Sequence, residues 1–296
     1  MSRLTDELQN TRKIIDVELD KLLPTINIPE NRVVDAMRYS AIGAGKALRP
    51  FLVITCAKIF GVPTEVSVRT ATALEIVHTY SLIHDDLPAM DDDDLRRGKP
   101  SCHKQFDEAT AILAGDALLT RAFEVLASEL TCDNPTTRCE LIALLANYAG
   151  THGMIGGQML DLLSETDMDM SLTDVVRLQS LKTGKMISFA CEAGAILGRA
   201  TFEERQILKS YAEAIGLAFQ ISDDILDLEG SVEKVGKTLR KDVEAGKATY
   251  VSVVGIEKAR AKAIELIEKA KDLVDAFGER ADLLKELANF ILLRDH

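Results

Sequence analysis

Apolar residues recur at helical spacing from one end of this 296-residue chain to the other. The segments that hold the period lie near 2-22, 30-44, 50-60, 64-87, 105-130, 135-160, 172-197, 202-229, 246-273 and 277-293, so about ten helices are expected. Breaks fall at Pro24 and Pro29, Gly61-Val62-Pro63, Gly98-Lys99-Pro100, Asn134-Pro135 and Gly230, residues that stop helices by geometry. No break is a long linker and no tract is of low complexity, which predicts one continuous all-α domain spanning 1-296. Residues 214-228 and 141-149 are apolar almost all round, as helices are at the centre of a bundle or at a subunit interface. A homodimer is therefore expected.

Two of these helices carry acids. The first run is His84-Asp85-Asp86-Leu87-Pro88-Ala89-Met90-Asp91-Asp92-Asp93-Asp94, the second Ser222-Asp223-Asp224-Ile225-Leu226-Asp227. Gln220, Asp223, Asp224 and Asp227 stand at i, i+3, i+4 and i+7 and make one polar stripe on an apolar rod. A solvated surface face is the alternative; Ile215, Leu217, Phe219, Ile221, Ile225 and Leu226 around the stripe weigh against it. His78 and Asp85 are two turns apart with Ser81 between them, so that helix also points polar groups one way. Pro88 disfavours helix at Leu87, and the acids beyond it are expected to curl back, bringing Asp91 toward the same ion.

Ionised aspartates among apolar residues cost several kcal/mol unless a cation neutralises them. Oxygen ligands without clustered His or Cys select a hard ion, and a few carboxylates with open positions suit Mg²⁺, which accepts phosphate oxygens from a substrate. No loop has the spacing of a calcium-binding EF-hand. His84-Asp85 also resembles the HD pair of metal phosphohydrolases, but the remaining histidines, His103, His152 and His296, lack the further spacing that reading needs.

The formal charge of -12 argues against a nucleic-acid or anionic-membrane surface. Basic residues nevertheless gather where a phosphorylated substrate needs them: Lys46 with Arg49, Arg96 and Arg97 with Lys99, Lys182 with Lys185, then Lys237 and Lys247 after glycines. His78 is read as a hydrogen-bond donor to a phosphate oxygen, with a packed core histidine as the alternative. Five scattered cysteines form no CxxC pair, and no apolar run reaches the roughly 20 residues that cross a bilayer. With no leader at the start, a cytoplasmic protein without membrane insertion is expected.

The stretches Ser81 to Gly98 and Phe219 to Asp227 resemble the two aspartate-rich motifs of the trans-isoprenyl diphosphate synthases, most closely the bacterial members. The likeness runs from about Tyr39 to the C-terminus and includes Gly45 to Pro50, His152 to Asp161, Lys182-Thr183-Gly184 and Gly236 to Tyr250. It implies an orthogonal helical bundle, the isoprenoid synthase fold, around a deep central cavity with the two motifs facing each other across its mouth. It also implies a prenyltransferase that joins isopentenyl diphosphate 1'-4 to dimethylallyl or geranyl diphosphate, with three Mg²⁺ ions when substrate is bound. By the same resemblance the metal ligands are Asp85, Asp86, Asp91, Asp223, Asp224 and Asp227. The allylic diphosphate meets Arg96, Lys182, Thr183, Gln220, Lys237 and Lys247, and isopentenyl diphosphate meets Lys46, Arg49, His78 and Arg97. Asp85, Asp91, Asp223, Lys182 and Arg96 carry the catalysis. Chain length is assigned to Tyr80 and Ser81; an aromatic at Tyr80 resembles members that stop at farnesyl, with geranyl and geranylgeranyl products as alternatives.

Two departures stand out. Ala47 replaces a residue that is commonly basic, with consequences for isopentenyl affinity, and Arg294 near the end is a candidate to close over the site. A terpene cyclase would replace the second motif by an Asn/Ser/Glu triad, and a non-catalytic partner subunit typically loses one motif; this chain carries both.

Overall fold

The computed structural model describes residues 2–25, 27–43, 45–164, 170–229 and 248–293. It is all-α apart from one two-stranded hairpin. Two compact units, residues 1–143 and 144–296, each have their own core. The division falls inside a helix, with no linker between the units.

The first unit contains α1 (Arg3–Leu22), α2 (Asn31–Ala41), α3 (Leu48–Ile59), α4 (Thr64–Asp85), a short α5 (Cys102–Gln105) and α6 (Glu108–Ala127). Helix α4 packs on α3, α6, α1 and α2. That central place explains its even burial: from Ser67 to Tyr80 only Arg69 and His78 are not fully buried. The buried hydroxyls of Thr72 and Thr79 donate to the carbonyls four residues back, Val68 and Glu75, at 2.8 Å each, so these polar residues need no outside partner. Side-chain caps start α1 at Ser2 and α6 at Asp107, whose carboxylate accepts from the Thr110 amide at 2.7 Å.

Helix α4 ends at Asp85, two residues short of the expected 87, because Pro88 takes the backbone out of helical register. The acidic loop does curl back: the Asp91 amide donates to the Asp85 carbonyl at 2.9 Å. A hairpin follows that the helical pattern did not show, β1 (Leu95–Arg96) against β2 (Lys99–Pro100), with Arg96 opposite Lys99. Its turn residues Arg97 and Gly98 have φ of 54° and 75°, the left-handed pair that a tight two-residue hairpin requires.

Helix α7 (Pro135–Ala149) crosses into the second unit, which continues with α8 (Met154–Ser164), α9 (Leu172–Gln179), a π-turn (Ser180–Gly184), α10 (Lys185–Leu197), α11 (Phe202–Glu229), α12 (Tyr250–Val254), α13 (Ile256–Val274), a 3₁₀ turn (Asp275–Ala281) and α14 (Asp282–Leu293). Helix α11 packs on α10, α13 and α14. Three expected helices are divided. Residues 135-160 break at the Gly150 to Gly153 turn, 246-273 at Gly255 (φ 84°), and 277-293 becomes a full helix only after Gly278 (φ 59°). At Gly255 and Gly278 glycine, without a Cβ, takes a positive φ at no steric cost, and the apolar period simply continues across all three breaks.

Candidate functional site

In the first unit the polar strip of α4 is where the spacing put it. His78, Ser81 and Asp85 are half-buried on a helix whose neighbouring residues are mostly buried. The Ser81 hydroxyl donates to the His78 carbonyl at 2.9 Å, which turns it along the helix. Burial holds the His78 imidazole well below its ordinary pKa, and the charges of Arg49, Arg97 and Arg96 push the same way. His78 is thus neutral at pH 7, with an N–H able to donate, and three of the expected phosphate-binding arginines are its electrostatic neighbours.

The hairpin sends its two arginines to different places. Arg96 goes to the acidic run: its Nε donates to Asp86 Oδ1 at 2.9 Å and to Oδ2 at 3.2 Å, and its Nη2 reaches Asp93 Oδ2 at 3.3 Å. Arg97 lies against Gly45, where an added Cβ would come within 2.7 Å of its guanidinium carbon, so that glycine is needed for the close approach. Lys46, exposed, follows in the same loop, and Arg49 stands in the first turn of α3. Ala47 is buried in the left-handed conformation (φ 51°) and starts α3, so the side chain at this position faces the protein interior. A cavity of about 230 Å³ is lined by Asp86, Arg96, Arg97 and Lys99 together with Tyr39 and Gly45.

The six expected metal ligands do not gather as two sets of three among the described residues. Side chains that bring three donor atoms within 4.8 Å are instead those of Asp92, Asp94 and His103, and Asp94 is also paired with Lys104 at 2.8 Å. Asp86 is buried and held by Arg96, which accounts for its not joining Asp85 and Asp91. Tyr80 is buried with its ring edge-on to His84, ring centroids 5.8 Å apart, and its hydroxyl has no hydrogen-bond partner. Burial, with the charge of Asp85, pushes that phenol up to about 12. Tyr80 is not among the residues lining the 230 Å³ cavity.

In the second unit the α11 stripe also holds. Gln220, Asp223, Asp224 and Asp227 are half-buried while Ile221, Ser222 and Ile225 are buried. Gln220 Oε1 accepts from the Thr183 hydroxyl at 3.1 Å. Asp224 is occupied by the protein: its Oδ2 accepts from Gln179 Nε2 at 3.1 Å and from the Tyr250 amide, at the start of α12, at 2.8 Å. Lys182 donates to Asp161 Oδ2 at 2.7 Å. Lys182 and Thr183 sit in the π-turn, a widened helical turn of a kind often found at functional positions. Lys237, Lys247 and Arg294 lie outside the described residues.

Four partners were not singled out from the sequence: Asp93, Asp161, Gln179 and Glu75. The available signal was a charged or amide side chain in an apolar helix, as with Asp161 in Met154–Ser164 and Glu75 between Leu74 and Ile76.

The profile of the polyprenyl synthetase family matches residues 30–287, and the chain belongs to that family. It is 41% identical over 296 residues to the farnesyl diphosphate synthase of Bacillus subtilis, covering 100% of this chain and 99% of that one. It is 45% identical over 278 residues to the farnesyl diphosphate synthase of Escherichia coli, covering 92% of each. The solved structure of an FPP/GFPP synthase from Zymomonas mobilis is similar with a TM-score of 0.89 at 45% identity, covering 98% of both chains.

Proposed function

We propose that this chain is a prenyltransferase that joins isopentenyl diphosphate 1'-4 to dimethylallyl and then geranyl diphosphate, releasing farnesyl diphosphate. The observation that carries the reading is that the charges of Arg49, Arg97 and Arg96 all act on a neutral His78, on the same face of α4 as Asp85 at the start of the acidic run. Cations and a neutral donor beside carboxylates are what a diphosphate substrate with a bound metal requires. The names of the full-length relatives agree with it.

Carboxylate oxygens fit Mg²⁺. Asp85, Asp86 and Asp91 on one side, and Asp223, Asp224 and Asp227 on the other, are the residues that would hold it, Asp86 exchanging Arg96 and Asp224 exchanging Gln179 for the ion. Bound there, three Mg²⁺ ions would supply positive charge to a departing diphosphate. Arg96, Lys182, Thr183 and Gln220 are assigned to the allylic diphosphate, joined by Lys237 and Lys247, while Lys46, Arg49, His78 and Arg97 take isopentenyl diphosphate. Arg96 would exchange Asp86, and Lys182 would exchange Asp161, for phosphate oxygens of similar charge. The cations stabilise the leaving group, the isopentenyl double bond attacks the allylic carbocation, and the released diphosphate accepts the proton.

Tyr80, large and buried, supports a stop at farnesyl, with Ser81 beside it. A homodimer is supported by α6, which leaves Ile112 and Leu113 about half exposed, at 45% and 54%. A cytoplasmic place accords with the net charge of -12, and no described helix is long and apolar enough to cross a membrane. The test is incubation with Mg²⁺, isopentenyl diphosphate and each allylic diphosphate in turn, followed by chain-length analysis. Farnesyl diphosphate is the expected product, and no elongation from any primer refutes the proposal.

A further inference from the structure

Glu75 is 3% exposed, one turn before His78 on α4, among residues assigned above to bind an anion. An acidic side chain there offers a diphosphate no positive charge, so it is not a phosphate contact; burial pushes its pKa up, and Arg12, Arg97 and Arg49 oppose that. Its contacts give it a different role. Arg12 of α1 donates from Nη1 to Glu75 Oε1 at 3.1 Å and from Nη2 to Asp16 Oδ1 at 2.5 Å. The same Asp16 oxygen accepts from the Gly43 amide at 2.8 Å. A continuous path therefore runs from the core of α4, through α1, to the loop that carries Lys46 and leads into Arg49.

Arg97 depends on that loop as well, because its guanidinium is seated on Gly45. Glu75 also interacts electrostatically with Arg97 and Arg49, after Arg12. Guanidinium groups gathered for an anion repel one another when it is absent, and one buried carboxylate among them offsets that repulsion.

We propose that Glu75 is a positioning residue of the isopentenyl diphosphate site: through Arg12, Asp16 and Gly43 it sets the loop that presents Lys46, Arg49 and Arg97, without touching substrate. The proposal rests on the assignment of those residues to isopentenyl diphosphate given above.

The test is steady-state kinetics of the full chain with both substrates. Glu75→Gln keeps the shape and removes the charge; the KM for isopentenyl diphosphate is expected to rise about tenfold, with kcat and the KM for geranyl diphosphate changing by less than about threefold. Arg12→Gln and Asp16→Asn should move the same KM, and Glu75→Gln with Arg12→Gln should be no worse than the poorer single variant, as expected of one path. Should Glu75→Gln not fold, Asp16→Asn at its half-exposed position decides alone. Lys46→Ala and Arg49→Gln are measured in parallel. If these leave the isopentenyl KM unchanged, the assignment of the site fails and this proposal with it. If they raise it while Glu75→Gln and Asp16→Asn do not, the site stands and the positioning role is overturned. A lower melting temperature with an unchanged or reduced isopentenyl KM overturns it too.

Discussion

Arg96 grips Asp86 with two of its nitrogens, Nε reaching both carboxylate oxygens and Nη2 adding a further bond to Oδ1. The carboxylate is 2% exposed. Burial pushes its pKa up and the bonds and charge of Arg96 oppose that, so removing the charge leaves a partly buried guanidinium with only the longer contact to Asp93 as its ion pair. Asp86→Asn is expected to cost about 2 kcal/mol in urea unfolding. In a double-mutant cycle with Arg96→Gln the coupling should exceed about 1 kcal/mol. Additive single effects would show that the pair contributes nothing beyond its parts.

His78 gives a dependence on pH. Its folded pKa lies well below 6.5, with burial the largest cause and the arginines next. The unfolded chain therefore binds more protons wherever the unfolded imidazole is charged and the folded one is not. The His78 contribution to stability is complete above pH 6.5 and declines as the pH falls from there toward the folded value. Chemical denaturation across that range should show wild-type stability decreasing on acidification, and His78→Gln should flatten part of the slope. An identical slope in the variant would place the proton uptake elsewhere.

The two polar stripes were legible in the sequence because a helix converts spacing into direction: Asp85 with His78, and Asp223, Asp224 and Asp227 with Gln220, are half-buried on helices whose other faces are apolar. What those groups hold was not legible. Lys182 and Asp161 are 21 positions apart, and Arg12 and Glu75 are 63; no period links such residues. Nor does a π-turn leave a pattern, since the extra residue at 180–184 only shifts the phase of an apolar face that carries on into α10. The hairpin at 95–100 was hidden for another reason. Its strands are two residues each, too short to alternate, and its one signal was Arg97-Gly98 before Lys99-Pro100.

Tyr80 separates packing from hydrogen bonding. Its ring is 5% exposed and its hydroxyl has no partner, so Tyr80→Phe removes an unsatisfied polar group without opening a cavity. Stability should be unchanged or rise by up to about 1 kcal/mol, whereas Tyr80→Ala should lower it by about 3 kcal/mol. If the ring also limits chain length, the alanine variant should release products longer than those of wild type and the phenylalanine variant should not. A Tyr80→Phe variant destabilised as much as Tyr80→Ala would mean that the hydroxyl is bonded in solution.

Gly157 is the support beneath Lys182. A Cβ built on it would lie 2.2 Å from the Lys182 backbone nitrogen and 2.5 Å from its Cα, and neither is a flexible side-chain end that can move aside. In the same helix, one turn on, Asp161 accepts from the Lys182 ammonium, so α8 fixes both the backbone and the charge of that residue. Gly157→Ala must therefore push the π-turn away from α8, carrying Lys182 and Thr183 with it. The expected result is a stability loss of about 2–3 kcal/mol, the scale of overpacking a core. Turnover should fall by about a hundredfold, the scale of displacing one preorganised cation. Lys182→Met tests the chemistry apart from the packing: it keeps the apolar stem and the turn, so its turnover should fall comparably with a smaller change in unfolding free energy. If Gly157→Ala were destabilised yet fully active, the position of the π-turn would not matter to the reaction.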